Sequence, residues 1–91
     1  MITITMHRDK KHRYTGFTIS GHADYDEAGS DIVCAAVSAL SQTALLGLMQ
    51  YASQDVPYEV NDGFLSVQVP KPCEASQIIL GTMVAGLEQI V

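Results

Sequence analysis

The chain has 91 residues, enough for one domain around one core, and 47% apolar against 16% charged residues is rich for that size. A formal net charge of −5 and a pI near 4.8 argue against the broadly basic surface of a general nucleic-acid binder and suit a basic partner instead. Two cysteines are too few for a disulfide framework, and no secretory leader or membrane span is read, so a cytoplasmic protein with free thiols is expected.

In chain order, Met1 to His7 alternates Ile2, Ile4 and Met6 with Thr3, Thr5 and His7, the pattern of a half-buried strand. Arg8 to Arg13 reads RDKKHR and holds four of the five Lys/Arg residues; it is read as a solvated hairpin turn, with His7 and His12 as surface residues. Tyr14 to Ser20 is a second strand, antiparallel to the first, and it delivers the chain to Gly21 and His22. Gly21 to Asp31 is an acidic loop carrying Asp24, Asp26, Glu27 and Asp31. Its spacing lacks the calcium-loop pattern, so no metal is expected. A flap that meets a basic substrate is the reading that fits it, with Gly29 as hinge.

Ile32 to Ala52 reads as a long apolar helix whose alanines at 35, 36, 39 and 44 would allow close packing on a sheet; Ser38, Ser41, Gln42, Thr43 and Gln50 interrupt it too often for a membrane span. Val56 to Asn61 and Phe64 to Val69 form a second hairpin around Asn61-Asp62-Gly63. Pro57 places itself at a strand start or an unpaired edge. Glu74 to Ile90 is an amphipathic helix, with Ile79, Leu80, Met83, Val84, Leu87 and Val91 on one face. Gly81 and Gly86 there imply close approach to the other helix or the sheet. The order β-β-α-β-β-α predicts an α+β sandwich, one antiparallel sheet with two packed helices, in a single domain over residues 1–91. The apolar excess predicts a homodimer.

The chemistry concentrates in Gly21 to Leu40. Ser30 or Asp31 is the natural N-cap of the first helix, which places Cys34 in its first turn, where the helix dipole favours a thiolate. His22 lies upstream across a loop long enough to fold back, and Cys plus His is the minimal set for nucleophilic acyl transfer. The residue types alone leave a second reading open: Cys34 as a small buried apolar residue, Asp31 as a cap only, and the chain as a non-enzymatic dimeric interaction module. There is no CxxC and no cluster of histidines, so no cofactor is expected. Cys73, just before the second helix, has no nearby histidine in the sequence and reads as passive.

The segment Gly21-His22-Ala23, followed by Gly29-x-Asp31-Ile32-Val33-Cys34-Ala35-Ala36-Val37-Ser38, resembles the ribosomal-processing cysteine protease (Prp) family of bacteria. Size, element order and motif order agree along the whole chain, and the dense motif occupies about twenty residues of it. The resemblance implies a cysteine endopeptidase that removes a short N-terminal extension from a large-subunit ribosomal protein precursor. It implies Cys34 as nucleophile and His22 as general base and acid, with Asp31 the candidate for a third, orienting or capping, member. Gly21, Asp24, Asp26, Glu27, Gly29 and Ser38 are the candidate substrate contacts. The expected partner is a basic precursor, with no direct nucleic-acid contact and no membrane.

Overall fold

The structure is a computed structural model, and it describes residues 2–21 and 30–90. Four strands, β1 (Thr3–Arg8), β2 (Tyr14–Ser20), β3 (Tyr58–Asn61) and β4 (Phe64–Gln68), form one antiparallel sheet in the order β1-β2-β4-β3. Two helices, α1 (Ser30–Tyr51) and α2 (Glu74–Ile90), complete the expected β-β-α-β-β-α order. The second hairpin inserts so that β4, not β3, pairs with β2, with Phe17 opposite Val67 and Ile19 opposite Leu65.

Alternation along the strands gives the sheet two chemically distinct faces. Met6, Phe17, Val67 and Tyr58 lie in one row across it, and Ile4, Ile19, Leu65 and Val60 in the next. This is the core face. Phe17 and Val67 are fully buried there, together with Val37 and Leu48 of α1 and Leu80 of α2. The opposite face carries Thr5, Thr18, Ser66 and Glu59 in a row, and the Thr18 hydroxyl meets His7 Nε2 at 2.9 Å.

Gly16 is the tightest point of the sheet. At φ +154°, a β-carbon there would collide with the Val67 carbonyl oxygen of the neighbouring strand, so only glycine fits.

The two helices run antiparallel and pack through small residues. A β-carbon at Gly86 would lie 3.1 Å from Leu40, and Gly47 faces Ile79. Gly81 lies against the Tyr14 ring, so the two α2 glycines make the close approaches expected of them. Two glutamine amides then act as surrogate strand partners. Gln77 accepts from Tyr14 N (2.7 Å) and donates to Tyr14 O (2.8 Å), clasping α2 to the start of β2. Gln54 does the same to the backbone of Lys71.

Cys73 caps α2 in a reciprocal box: its N–H donates to Ser76 Oγ (2.9 Å), and Ser76 N–H donates back to the Cys73 sulfur (3.4 Å). That backbone donor holds the Cys73 thiol below its ordinary pKa, with the Ser76 side chain adding to it. In a protein whose other cysteine is replaced by serine, alkylation of Cys73 by iodoacetamide should therefore titrate with a midpoint below that of a free cysteine. A midpoint at or above the free-thiol value would show that the bond is not kept in solution.

Three expectations are corrected. β3 is two residues shorter than read, starting after Pro57, and its apolar side chains are not buried: Tyr58 is 54% and Val60 59% exposed. They sit in the apolar rows, but β3 is the sheet edge and the helices do not reach over it. Ala35 and Ala39 of α1 are exposed and Ala36 only half-buried, so Ala44 alone of the four joins the core. The reason is that Ala35 and Ala39 stand on the side of α1 opposite Val37, Ser41 and Leu48, which face the core. Finally, α1 is helical from Ser30, two residues before the Ile32 start expected from the sequence; the side chains of Ser30 and Asp31, and with them the capping role, lie outside the described residues. Ile32–Tyr51 is long and apolar enough to cross a bilayer; Val37, Ala44, Leu45 and Leu48 of it lie in the core, whereas Ile32, Leu46, Met49 and Tyr51 stay exposed.

Candidate active site

Between the N-terminal half of α1 and the β3–β4 hairpin lies a cleft of about 490 Å³. The helix contributes Cys34, Ser38, Ser41, Gln42 and Leu45, one face at helical spacing. The hairpin contributes Val60 to Leu65, and Ile19 and Gly21 close the end where β2 stops. Cys34 is half-buried and lines this cleft, so it is not the buried packing cysteine of the alternative reading.

The early start of α1 makes Cys34 its fifth residue, in the second turn and not the first. The field of a helix N-terminus fades within the first turn, so this placement lends the sulfur less than expected. The free N–H groups of the helix start belong to the residues just before it, Ser30, Asp31 and Ile32.

The helix wall is tied together by hydrogen bonds. The buried Ser41 hydroxyl donates to the carbonyls of Val37 (2.8 Å) and Ser38 (3.1 Å). Gln42 Nε2 donates to Ser38 Oγ at 2.8 Å. The serine bonded back to its own preceding turn is thus Ser41, whereas Ser38 accepts from Gln42 and keeps its own proton to donate.

The hairpin wall is fixed by the Asp62–Gly63 turn, with Gly63 at φ +71°. The Gly63 carbonyl accepts from Gly21 N at 2.8 Å. This bond joins the turn to the end of β2, the point at which the chain leaves the sheet toward His22.

Of the expected site residues, the structure brings Cys34, Ser38 and Gly21 to one cleft. His22, Asp24, Asp26, Glu27 and Gly29 lie outside the described residues, as does the Asp31 side chain. Among the described residues no group of His, Cys, Asp and Glu could hold a metal. Cys34 and Cys73 are both free. Cys73 Sγ lies 3.9 Å from the Ala52 carbonyl, just past the far end of α1, about 27 Å along the helix from Cys34 and too far for a disulfide.

Sequence reasoning missed the hairpin wall and Gln42. The spacing of Cys34, Ser38 and Gln42 could have found the second. The first needs the strand order, which no local pattern carries.

A half-buried thiol lining an open cleft between a helix and a hairpin is an accessible nucleophile, the arrangement a cysteine hydrolase requires. The comparisons make this specific. The family model described as cysteine protease Prp matches residues 1–91. The ribosomal processing cysteine protease Prp of Staphylococcus aureus (strain Mu50) is 35% identical over 94 residues, which cover 99% of this chain and 88% of that one. The crystal structure of the S. aureus protease with a covalently linked product peptide superposes with a TM-score of 0.85 at 30% identity, covering 99% of this chain and 88% of that one. SMU.848 from Streptococcus mutans gives 0.83 at 29%, covering 99% and 83%. The chain belongs to the Prp family and is a cysteine protease.

Proposed function

We propose that this protease trims a short N-terminal extension from a large-subunit ribosomal protein precursor in the cytoplasm, with Cys34 as nucleophile and His22 as general base and acid. The observation that carries the assignment is the position of Cys34 on the wall of the cleft between α1 and the β3–β4 hairpin, whose end is lined by Gly21, the residue that precedes His22 in the chain.

In this mechanism His22 takes the Cys34 proton and the thiolate attacks the scissile carbonyl carbon, forming a C–S bond. Backbone N–H groups at the start of α1 receive the developing oxyanion. Collapse of the tetrahedral intermediate breaks the C–N bond, and His22 returns its proton to the leaving amine. Water, deprotonated by His22, then hydrolyses the thioester. Asp31 serves to orient His22 or to stabilise the helix start, and Ser38 donates its hydroxyl proton toward the sulfur or the substrate. A basic precursor finds Asp62 at the cleft, with Asp24, Asp26 and Glu27 in the adjoining sequence and Gly29 as the hinge of that segment.

Mass spectrometry of the precursor incubated with the protease is the test. A single defined N-terminal truncation is expected; an intact precursor, with the protein folded, would overturn the substrate assignment.

The protein acts as a homodimer in this reading. Supporting it is apolar surface outside the cleft, where Tyr51, Tyr58 and Ile78 are 67%, 54% and 61% exposed. Sedimentation should give a dimer at micromolar concentration, and a monomer there would reject it.

A further inference from the structure

The net charge of −5 hides a segregation of charge along the strands. All five Lys and Arg residues of the chain stand at one end of the sheet. Arg8, Lys10, Lys11 and Arg13 occupy the β1–β2 hairpin. Lys71 follows β4, which leaves the sheet beside the start of β2, because Val69 N donates to Thr15 O (2.8 Å) and Gly16 pairs with Gln68. Among the described residues, Asp9, Asp55 and Glu74 oppose them at that end. The cleft, with Asp62 on its wall, lies at the other end, past Ser20.

β2 has seven residues, so the two ends are about 20 Å apart. Charges on the surface are screened over about 8 Å at physiological salt. A partner therefore meets each end separately, and the whole-chain charge describes neither.

The basic tip is also built. Asp9 Oδ1 accepts from the backbone of Lys11 (2.9 Å) and Arg13 (3.0 Å), while Oδ2 accepts from Arg13 Nε (2.9 Å). Those backbone donors keep the Asp9 carboxyl ionised. The turn is completed by His12 at φ +64°, and Lys10 and Lys11 project from it exposed. Arg8 lies over the Tyr14 ring, 4.6 Å from its centroid, and donates to its hydroxyl at 2.9 Å. That holds the guanidinium in place with donors to spare.

We propose that this end of the molecule docks on the phosphate backbone of RNA while the opposite end cuts the protein. The proposal rests on the ribosomal-precursor reading for its choice of polyanion: a protease whose relatives process ribosomal proteins works where RNA phosphate is the prevailing surface. The contact is electrostatic and sequence-independent, made by Lys10, Lys11, Arg8 and Lys71. It raises the local concentration of enzyme at its substrate without entering the cleft.

The test is fluorescence anisotropy of a short labelled RNA duplex across a salt titration, with poly-glutamate as competitor. The wild type should bind at low salt, with a slope of log K against log salt of about −3, for three or four neutralised phosphates. Lys10→Gln together with Lys11→Gln should reduce the slope by about two and weaken low-salt binding by about tenfold or more. The same variant should cleave a free precursor peptide within about twofold of wild type, since neither lysine is near the cleft. No wild-type binding, a slope near zero, or unchanged binding by the double variant would overturn the proposal. Equal binding of poly-glutamate would also overturn it, in favour of an acidic protein partner. The binding assay needs no cleavage, so a failed protease assignment and a failed RNA assignment are told apart.

Discussion

Cys34→Ser should abolish cleavage of the precursor while leaving the fold unchanged. The expected loss in kcat/KM is at least about 10⁴-fold, which is more than about 5 kcal/mol of transition-state stabilisation. A serine hydroxyl in place of the thiol is protonated at any working pH and lacks a base positioned for the shorter C–O bond. The structural effect is small because Cys34 is half-buried on the cleft wall and outside the core cluster. The thermal midpoint should move by no more than a change of about 0.5 kcal/mol implies. Steady-state kinetics on a precursor peptide, alongside a thermal scan, measure both. A variant that keeps more than about one hundredth of wild-type activity would mean that another group attacks the carbonyl.

Phe17→Ala should be the most damaging single change to stability. Phe17 is fully buried on a central strand, between Met6 and Val67 in its row. Truncating a buried phenylalanine to alanine costs about 3–5 kcal/mol, combining lost transfer energy with the cavity left behind. A domain of this length has roughly 5–14 kcal/mol in total, so the variant loses a large share of its margin. The rigid neighbours make relaxation poor: the strands pack so closely beside Phe17 that a β-carbon at Gly16 would collide with the Val67 carbonyl. Urea denaturation should show a lower midpoint with an unchanged slope. A loss below about 1 kcal/mol would mean that the sheet face is not packed as described.

Much of the fold was legible because local chemistry agreed with it. Tyr14 to Ser20 and Glu74 to Ile90 fall where alternation and helical spacing put them. Asp62-Gly63 marks its hairpin because only a glycine is easy at φ +71°. What failed was non-local. Tyr58 and Val60 alternate like buried residues, and they do share the core face, but a sequence pattern does not say where the helical layer ends. Ala35 and Ala39 suggested close packing, whereas both stand on the side of α1 opposite Val37 and Leu48, the residues that meet the core. At the site, Cys34 and Ser38 were legible as one helical face. The facing wall was not, because Val60 to Leu65 reach Cys34 only through the insertion of β4 beside β2. The start of α1 was misplaced because Ser30 and Asp31 favour caps by type, and that preference yielded to a longer helix.

That insertion also sets a schedule. Thr18 and Ser66 are neighbours in the sheet but 48 residues apart in the chain, and contacts of such separation form only after the intervening loop has been closed. During synthesis the first hairpin and α1 emerge before residues 60–65 exist to face them. A nascent chain therefore carries Cys34, the nucleophile proposed above, before the facing wall of its cleft exists. Under that assignment the substrate cleft is complete only when the second half of the chain has folded onto the first.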